Sequence, residues 1–359
     1  MKNHVLVYLY AAYVALKTSC GGSGFWRGAR LSVKLSIVVL FLTLSNLAEA
    51  QQDPMFTQYL NNSVLQNPAY AGSNNTIQGM LLYRSQWMGF EGAPQTTAAS
   101  FNMPWVKYGI GIGGSMYVDE IGPERELFTA MDFSYRIKLG ESEEKVWVPI
   151  RKTYDYLMKQ REQKFTTYLS FGLKMSFSDY KVLLDPEDAT QPGDAELFND
   201  INRRALNVGF GLYLYSPKYY VSFAIPQLLG HDFLDGEQTT RKKSFDELYY
   251  YLSGGYVFSL NPYVKFKPTT MIRYVQGAPL SVDVNANFLF LERFWAGLGY
   301  RLGDALLGNM EYRITDHFSV GYSYDMTTTS LAQYSSGTHE ITLKFDFLIK
   351  TLAPCKPYF

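Results

Sequence analysis

Residues 164–179 alternate between two kinds of side chain. Every second position from Phe165 to Phe177 is apolar or threonine, and the positions between them are polar, aromatic or glycine, with Lys174 among them. Because successive side chains of a strand point to opposite faces, this pattern predicts a strand with one apolar and one polar face. A tilted strand needs about 9–11 residues to cross a bilayer, whereas soluble strands usually have about 5–6. The length therefore favours a transmembrane strand.

Similar strand-length segments recur along the chain. We predict fourteen strands, near residues 77–87, 95–103, 108–117, 125–138, 164–178, 205–215, 218–226, 248–260, 263–275, 280–290, 293–302, 305–314, 316–326 and 338–348. An even number of antiparallel strands is typical of bacterial outer-membrane barrels. The sequence therefore predicts an all-β fold, a transmembrane antiparallel β-barrel of about 14 strands over residues 77–348.

The polar register of these strands carries charges of both signs. Its cations are Arg84, Arg136, Lys174, Lys265, Lys267, Arg273, Arg293, Arg301, Arg313 and Lys344. Its anions are Asp132, Asp283, Glu311, Asp325, Glu340 and Asp346. An inward charge is costly without water or a counter-ion. We therefore expect cross-strand ion pairs in a hydrated or plugged lumen, and we favour a structural role for them over a selectivity filter.

The connections agree with an even-stranded barrel whose termini are both periplasmic. Short turns fall on the inner side, and the longer segments fall outside, at 179–204, 227–247 and 327–337. The exception is 140–163, a long, charged connection that should be a periplasmic insert. Its positions Ile150, Tyr154, Leu157 and Met158 define an apolar helical face. This face belongs either to a solvated hairpin helix or to an element that docks a periplasmic partner.

Residues 1–50 predict a leader. An apolar run at 35–44 follows basic residues and precedes Ala48-Glu49-Ala50, as in a secretory signal cleaved near Ala50. Residues 1–30 are interpreted as an upstream extension, with lipoprotein processing at Cys20 as the alternative. Cys355 is then alone in the mature chain, so we expect no disulfide framework. A tail at 349–359 follows the last strand.

Residues 51–76 predict one short amphipathic helix before the first strand. Asp53 followed by Pro54 suits a helix start, and Asn67-Pro68 suits its end. Between them, the residues on one helical face are Met55, Phe56, Tyr59, Leu60 and Val64. In front of a barrel, we expect this segment to plug the lumen or to cap the periplasmic mouth.

Short motifs along the mature chain carry a family resemblance. They are Asp53-Pro54-Met55-Phe56-Thr57-Gln58-Tyr59, Asn67-Pro68-Ala69-Tyr70-Ala71-Gly72, Tyr83-Arg84-Ser85-Gln86-Trp87, Pro94 to Pro104, Gly113-Gly114, Asp119 with Gly122, and Gly337-Thr338-His339-Glu340-Ile341. This ordered set resembles the PorP/SprF family of type IX secretion membrane proteins. The insert at 140–163 and the tail after Phe347 depart from a compact version of that family.

The resemblance implies two groups of functional residues. A plug or cap motif comprises Asp53, Pro54, Phe56, Tyr59, Asn67, Pro68, Tyr70 and Gly72. A barrel signature comprises Tyr83, Arg84, Gln86, Trp87, Asp119, Gly122, His339 and Glu340. The family serves type IX secretion in Bacteroidetes-type outer membranes, supporting export or surface attachment of cargo, including adhesins in gliding members. The implied partners are outer-membrane lipid, periplasmic and lipoprotein components of the machinery, and secreted cargo.

The amino-acid composition argues against some classes of function. The 33 basic and 33 acidic residues balance, which argues against nucleic acid as a partner. The 29 tyrosines and 24 phenylalanines are typical of aromatic girdles, although an aromatic-rich soluble sandwich is the alternative. Gly109 to Gly114 formally fits G-x-G-x-x-G, but a strand rather than a helix follows, so these are interpreted as small lumen-facing residues beside a plug.

We predict a non-enzymatic protein without cofactor or metal, because the four histidines lack metal-ligand spacing and no catalytic motif occurs. Two other function classes remain open. An open lumen would make the protein a diffusion channel. An outer-membrane enzyme would need a catalytic group such as His231 beside Asp232.

Overall fold

The computed structural model describes residues 55–59, 63–74, 76–152, 155–182, 201–229, 248–275 and 278–348. The predicted leader and tail, together with Asp53, Pro54, Tyr154 and His231, lie outside the described residues. Among the described residues, no helix has the length and apolar character needed to span a bilayer.

Fifteen strands account for most of the described chain. They are β1 (Thr76–Ser85), β2 (Gln95–Trp105), β3 (Ile110–Ile121), β4 (Glu124–Lys152), β5 (Asp155–Val182), β6 (Ile201–Tyr215), β7 (Tyr219–Ile225), β8 (Tyr249–Tyr256), β9 (Phe258–Ser259), β10 (Val264–Val275), β11 (Ser281–Phe290), β12 (Phe294–Arg301), β13 (Ala305–Arg313), β14 (Phe318–Thr327) and β15 (Thr338–Leu348).

These strands form one closed antiparallel barrel. Each pairs with its neighbours in sequence, and the last strand pairs with the first from Thr76 opposite Leu348 to Ser85 opposite His339. Strands β8 and β9 both pair with β10 and together occupy one position in the wall. The barrel therefore has fourteen positions, and the predicted fold is confirmed.

Because side chains alternate along each strand, the barrel has an apolar outer face and a polar lumen. On β5, Met175 is 67% exposed whereas neighbouring Lys174 is 2% exposed. Large apolar side chains are exposed around the outside, among them Met131, Leu173 and Leu298. Because apolar residues are normally buried in water-soluble proteins, this exposed band indicates a surface that contacts lipid.

The two barrel ends differ. The end where β1 begins and β15 ends also carries the short connections at 106–109, 216–218 and 291–293, and we call it the terminal end. The opposite end, the loop end, carries the longer connections at 86–94 and 328–337. One cation departs from the predicted inward register, because Arg293 lies in the β11–β12 turn and is exposed.

The prediction of a helix within 140–163 is wrong. Past a bulge between Lys138 and Gly140, β4 and β5 continue as a two-stranded ribbon at the terminal end. In the ribbon Ile150 lies opposite Leu157 and Pro149 lies opposite Met158. Antiparallel hydrogen bonding that is already established in the barrel propagates into the ribbon, and this outweighs a helical spacing of apolar residues.

The N-terminal segment also departs from the predicted helix. Its described residues form a single helical turn, α1 (Ser63–Gln66), and a 3₁₀ helix at Pro68–Tyr70, whereas residues 55–59 are not helical. The backbone N–H groups of Thr57 and Gln58 donate to a barrel carboxylate instead of to helical carbonyls. Contacts with the barrel therefore replace the local hydrogen bonds that a longer helix would need.

Candidate functional site

Two described stretches that precede β1, residues 55–59 and 63–74, lie inside the barrel. We call them the lumenal segment. Met55 lines a cavity at the loop end beside Gln86 and Trp87. Asn74 donates a hydrogen bond of 2.6 Å to Gln78 of β1, near the terminal end. The segment therefore runs from the loop end to the terminal end, where β1 begins.

Two carboxylates hold the segment near the loop end. The backbone N–H groups of Thr57 and Gln58 donate to the two oxygens of Glu340, at 3.1 and 2.9 Å. The hydroxyl of Thr57 donates to Asp325, with oxygen–oxygen distances of 2.6 and 2.7 Å. Charge-assisted hydrogen bonds of this kind are stronger than neutral ones, so these contacts fix the position of the segment.

The same carboxylates belong to a buried ion network. Arg84 pairs with Glu340 at 3.1 Å and with Asp325 at 3.3 Å. Arg301 forms a bidentate contact with Asp283 at 3.0 and 3.1 Å and lies 3.9 Å from Asp325. These side chains are at most 4% exposed. The predicted cross-strand ion pairs are confirmed here, and the network joins β1, β11, β12, β14 and β15.

A buried lysine holds the middle of the segment. The ammonium of Lys174 on β5 donates to the carbonyls of Val64 and Leu65, at 3.1 and 2.9 Å. It also lies 3.4 Å from Asp132 on β4, and both side chains are fully buried. Carbonyls at a helix end lack intrahelical partners, and Lys174 satisfies two of those in the single turn α1.

Glycines on β3 and β5 let the lumenal segment approach the wall. A Cβ at Gly172 would lie 2.1 Å from the backbone nitrogen of Ala69. A Cβ at Gly111 would lie 2.1 Å from the carbonyl oxygen of Ala71. These distances are far below an ordinary van der Waals contact, so only glycine fits. The interpretation of Gly111 as a lumen-facing residue beside the N-terminal segment is confirmed.

Polar side chains fix the remaining part of the segment. The amide of Asn67 donates to the carbonyl of Leu212 at 3.0 Å and to the hydroxyl of Ser222 at 2.6 Å. The hydroxyl of Ser134 donates to the carbonyl of Ala71 at 2.6 Å. Arg136 donates to the carbonyl of Gly72, also at 2.6 Å. Gly72 has a φ of +67°, a conformation that favours glycine.

Apolar contacts complete the packing. Phe56 and Leu65 share one buried cluster with residues of β1 to β4. Tyr59 packs in a second cluster with residues of β7, β8 and β10, and its hydroxyl accepts from Asn285 at 3.1 Å. Tyr70 contacts the ring of Tyr213 at a centroid distance of 5.5 Å.

Two cavities of about 30 and 10 Å³ lie in the described part of the barrel. Another, of about 260 Å³, lies at the loop end. Its lining includes Arg84, Gln86, Trp87, Arg273 and Arg301. Within the part of the chain that the structure describes, no group of side chains is arranged to hold a metal ion.

The residues of the barrel signature gather at the loop end but do not form one cluster. Arg84 and Glu340 contact each other, whereas Asp119 accepts a hydrogen bond from Thr96. Gly122 occupies a turn with a φ of +55°. Tyr83 points outward and is exposed, and His339 contacts the hydroxyl of Tyr322 at 2.7 Å. Sequence reasoning did not select Lys174 or Gly172 as site residues.

A closed antiparallel barrel with an apolar outer face and a polar lumen that holds its own N-terminal segment defines a transmembrane β-barrel of the outer-membrane type. The family model for the type IX secretion system membrane protein PorP/SprF matches residues 48–345, so the chain belongs to that family. The family and the fold together point to the outer membrane.

Comparison with solved structures finds other barrels. Omp33 of Acinetobacter baumannii has 10% identity and a TM-score of 0.37, with 76% of this chain and 97% of that chain covered. The toluene transporter TbuX of Ralstonia pickettii has 12% identity and a TM-score of 0.41, with 79% and 93% covered. A variant of the Rhodopseudomonas blastica porin has 11% identity and a TM-score of 0.32, with 76% and 99% covered. No curated protein sequence matches the chain.

Proposed function

We propose that this protein is a non-enzymatic scaffold of the type IX secretion system that supports export or surface attachment of cargo, including gliding adhesins. The observation that carries the proposal is the occupied lumen. The lumenal segment acts as a plug, bound by Glu340, Asp325, Lys174 and other inward side chains along its length. A plugged barrel supplies a fixed position in the outer membrane rather than a route through it.

The mechanism is positional. The loop end faces the cell exterior and the cargo, and the terminal end faces the periplasmic and lipoprotein components of the machinery. The ribbon formed by β4 and β5 extends from the terminal end and docks one of the periplasmic components. In this proposal Ile150, Leu157 and Met158 belong to the docking element, together with Tyr154.

Deleting residues 141–162 tests the docking role. The truncated barrel should assemble in the outer membrane, as heat-modifiable migration on gels can verify, and should lose a periplasmic component that co-purifies with the full chain. Unchanged recovery of every periplasmic component with an assembled barrel would refute docking through the ribbon.

Conductance in planar bilayers tests the plugged state against a diffusion channel. The full chain should be electrically silent, because the lumenal segment fills the described lumen. Removing residues 51–74 should produce steady single-channel currents. Steady currents from the full chain would instead identify a channel.

A further inference from the structure

Within the described residues, both strands of the ribbon have an unpaired outer edge. Strand β3 pairs with β4 only as far as Tyr135, and β6 pairs with β5 only from Tyr168. Beyond these residues β4 and β5 pair with each other over about 13 residues each, or roughly 43 Å. Among the described residues, no third strand adjoins either edge there.

A ribbon of this length is not expected to be stable by itself. An isolated two-stranded hairpin is marginally stable in water, because each strand has only one hydrogen-bonding neighbour. An unpaired edge also presents a row of backbone N–H and C=O groups that another chain can pair with. A third strand would supply the missing hydrogen bonds and stabilise the ribbon.

The two edges are not equivalent, because proline occurs on only one of them. Pro149 on β4 lies opposite Met158 on β5. Proline has no N–H to donate, so within a ladder it occupies a position whose nitrogen faces the outer edge. A proline there blocks strand addition along β4. The ribbon part of β5, residues 155–167, contains no proline.

Alternation along the ladder then identifies the accessible backbone groups of β5. In an antiparallel pair, every second residue turns its N–H and C=O away from the partner strand. Counting in both directions from Met158, these residues are Tyr156, Met158, Gln160, Glu162 and Lys164. Close to the rim the edge is covered by the β6–β7 turn, where Lys218 lies 5.7 Å from the ring of Phe165. The edge of residues 155–164 lies beyond this cover.

The charges of the ribbon nearly cancel. Residues 140–152 carry three acidic and three basic side chains, and residues 155–167 carry two acidic and three basic ones. Lys164 lies 3.3 Å from Glu143, whereas Arg151, Lys159 and Arg161 lie opposite uncharged residues in the register. Because the ribbon is nearly neutral overall, a strongly charged surface such as an anionic bilayer gains little by binding. The backbone of the β5 edge is then the main recognition feature, and an extended polypeptide is the ligand that fits it.

We propose that residues 155–164 of β5 accept an extended segment of a periplasmic protein as a third strand of the ribbon. This inference rests on the proposed docking of a periplasmic component at the ribbon and adds its mode of recognition. Backbone hydrogen bonds provide the affinity, and the proline in β4 directs the incoming strand to β5.

Matched substitutions at one level of the ribbon test the mode of binding. Gln160→Pro removes an N–H from the outer edge of β5, and Trp147→Pro removes one from the outer edge of β4, directly opposite. Both variants preserve the hydrogen bonds between β4 and β5 to the same extent. Gln160→Ala changes the side chain but leaves the backbone donor.

The measurement uses the full chain, purified from native membranes with the periplasmic component that is lost on deletion of 141–162 and identified by mass spectrometry. Gln160→Pro should weaken binding of that component by about tenfold, the loss expected for one backbone hydrogen bond at the upper end of its usual range. Trp147→Pro and Gln160→Ala should bind within about twofold of the unaltered chain. Hydrogen exchange of the ribbon amides verifies that each variant keeps its hairpin.

Several results would overturn the inference. Equal loss with Gln160→Ala would show that the side chain is recognised, and equal loss with Trp147→Pro would remove the distinction between the edges. If the bound component is a second copy of this chain, the proposed periplasmic partner is wrong. If Gln160→Pro binds normally while deletion of 141–162 abolishes binding, strand addition is refuted and docking at the ribbon is retained. Normal binding after the deletion would refute the docking proposal as well.

Discussion

Replacing Gly172 by alanine tests whether the lumenal segment is held as tightly against the barrel wall as the distances indicate. The new Cβ would lie 2.1 Å from the backbone nitrogen of Ala69, whereas an ordinary contact begins at 3.4 Å. The segment must therefore move by more than about 1 Å. Such a movement stretches the hydrogen bonds from Asn67 to Leu212 and from Ser134 to Ala71 beyond useful length.

The expected cost follows from those contacts. Three of the neutral hydrogen bonds that Asn67 and Ser134 donate in this region are each worth about 0.5–1.5 kcal/mol net. A methyl group forced into a packed interior costs about 1–3 kcal/mol if the bonds are kept. These are two responses to one perturbation, so the free energy of unfolding should fall by about 2–3 kcal/mol. For a large domain this lowers the melting temperature by roughly 5–10 °C.

The assay is thermal unfolding of the detergent-solubilised barrel, followed by circular dichroism. Gly79→Ala is the matched control, because Gly79 also lies in a strand and its added Cβ would meet no atom within 4 Å. The control should change stability by no more than about 1 kcal/mol, and alanine could raise it slightly. Equal melting temperatures for the two variants would refute the close approach of the segment at Gly172.

Other substitutions address the remaining contacts, each measured by urea unfolding. Glu340→Gln removes one of the two carboxylates that pair with Arg84, which keeps Asp325, and should cost about 1.5–3 kcal/mol. Glu120→Gln in an exposed ion pair should cost about 0–1 kcal/mol, and similar values for the two variants would argue against the buried network. Asn67→Ala should cost about 1–3 kcal/mol through its two bonds to the wall. Met175→Arg, on the outer face, should cost about 2–4 kcal/mol in vesicles, and a neutral result would mean that this face does not contact lipid.

The barrel could be predicted from the sequence because one simple period controls it. Each strand separates lipid from lumen, so the alternation seen at Leu173, Lys174 and Met175 reports directly on the environment of each face. The same reasoning failed at 140–163, where Ile150 and Leu157 are seven residues apart. That spacing fits two turns of a helix, and it also fits residues that face each other across a hairpin. The ladder that β4 and β5 already form in the barrel continues into this connection and decided the outcome.

The site could be predicted only in part. The polar register identified Arg84 and Glu340 as inward charges, but their direct contact depends on the pairing of β1 with β15. Lys174 was recognised as inward, whereas its hydrogen bonds to Val64 and Leu65 depend on the path of the N-terminal segment through the lumen. Periodicity gives the face of a strand on which a residue lies. It does not give the depth at which another segment passes.

The position of the segment also couples two events in folding. Glu340 on β15 binds both the N–H groups of Thr57 and Gln58 and the guanidinium of Arg84 on β1. The pairing of β1 with β15 closes the barrel. The carboxylate of Glu340 therefore lies where the barrel closes and also contacts the lumenal segment. The lumenal segment lies within a closed wall and continues directly into β1. We therefore expect it to be enclosed while β1 pairs with β15, and not to be threaded into a barrel that has already closed. Substitutions that weaken the binding of the lumenal segment should therefore slow the closure of the barrel as well as lower its stability.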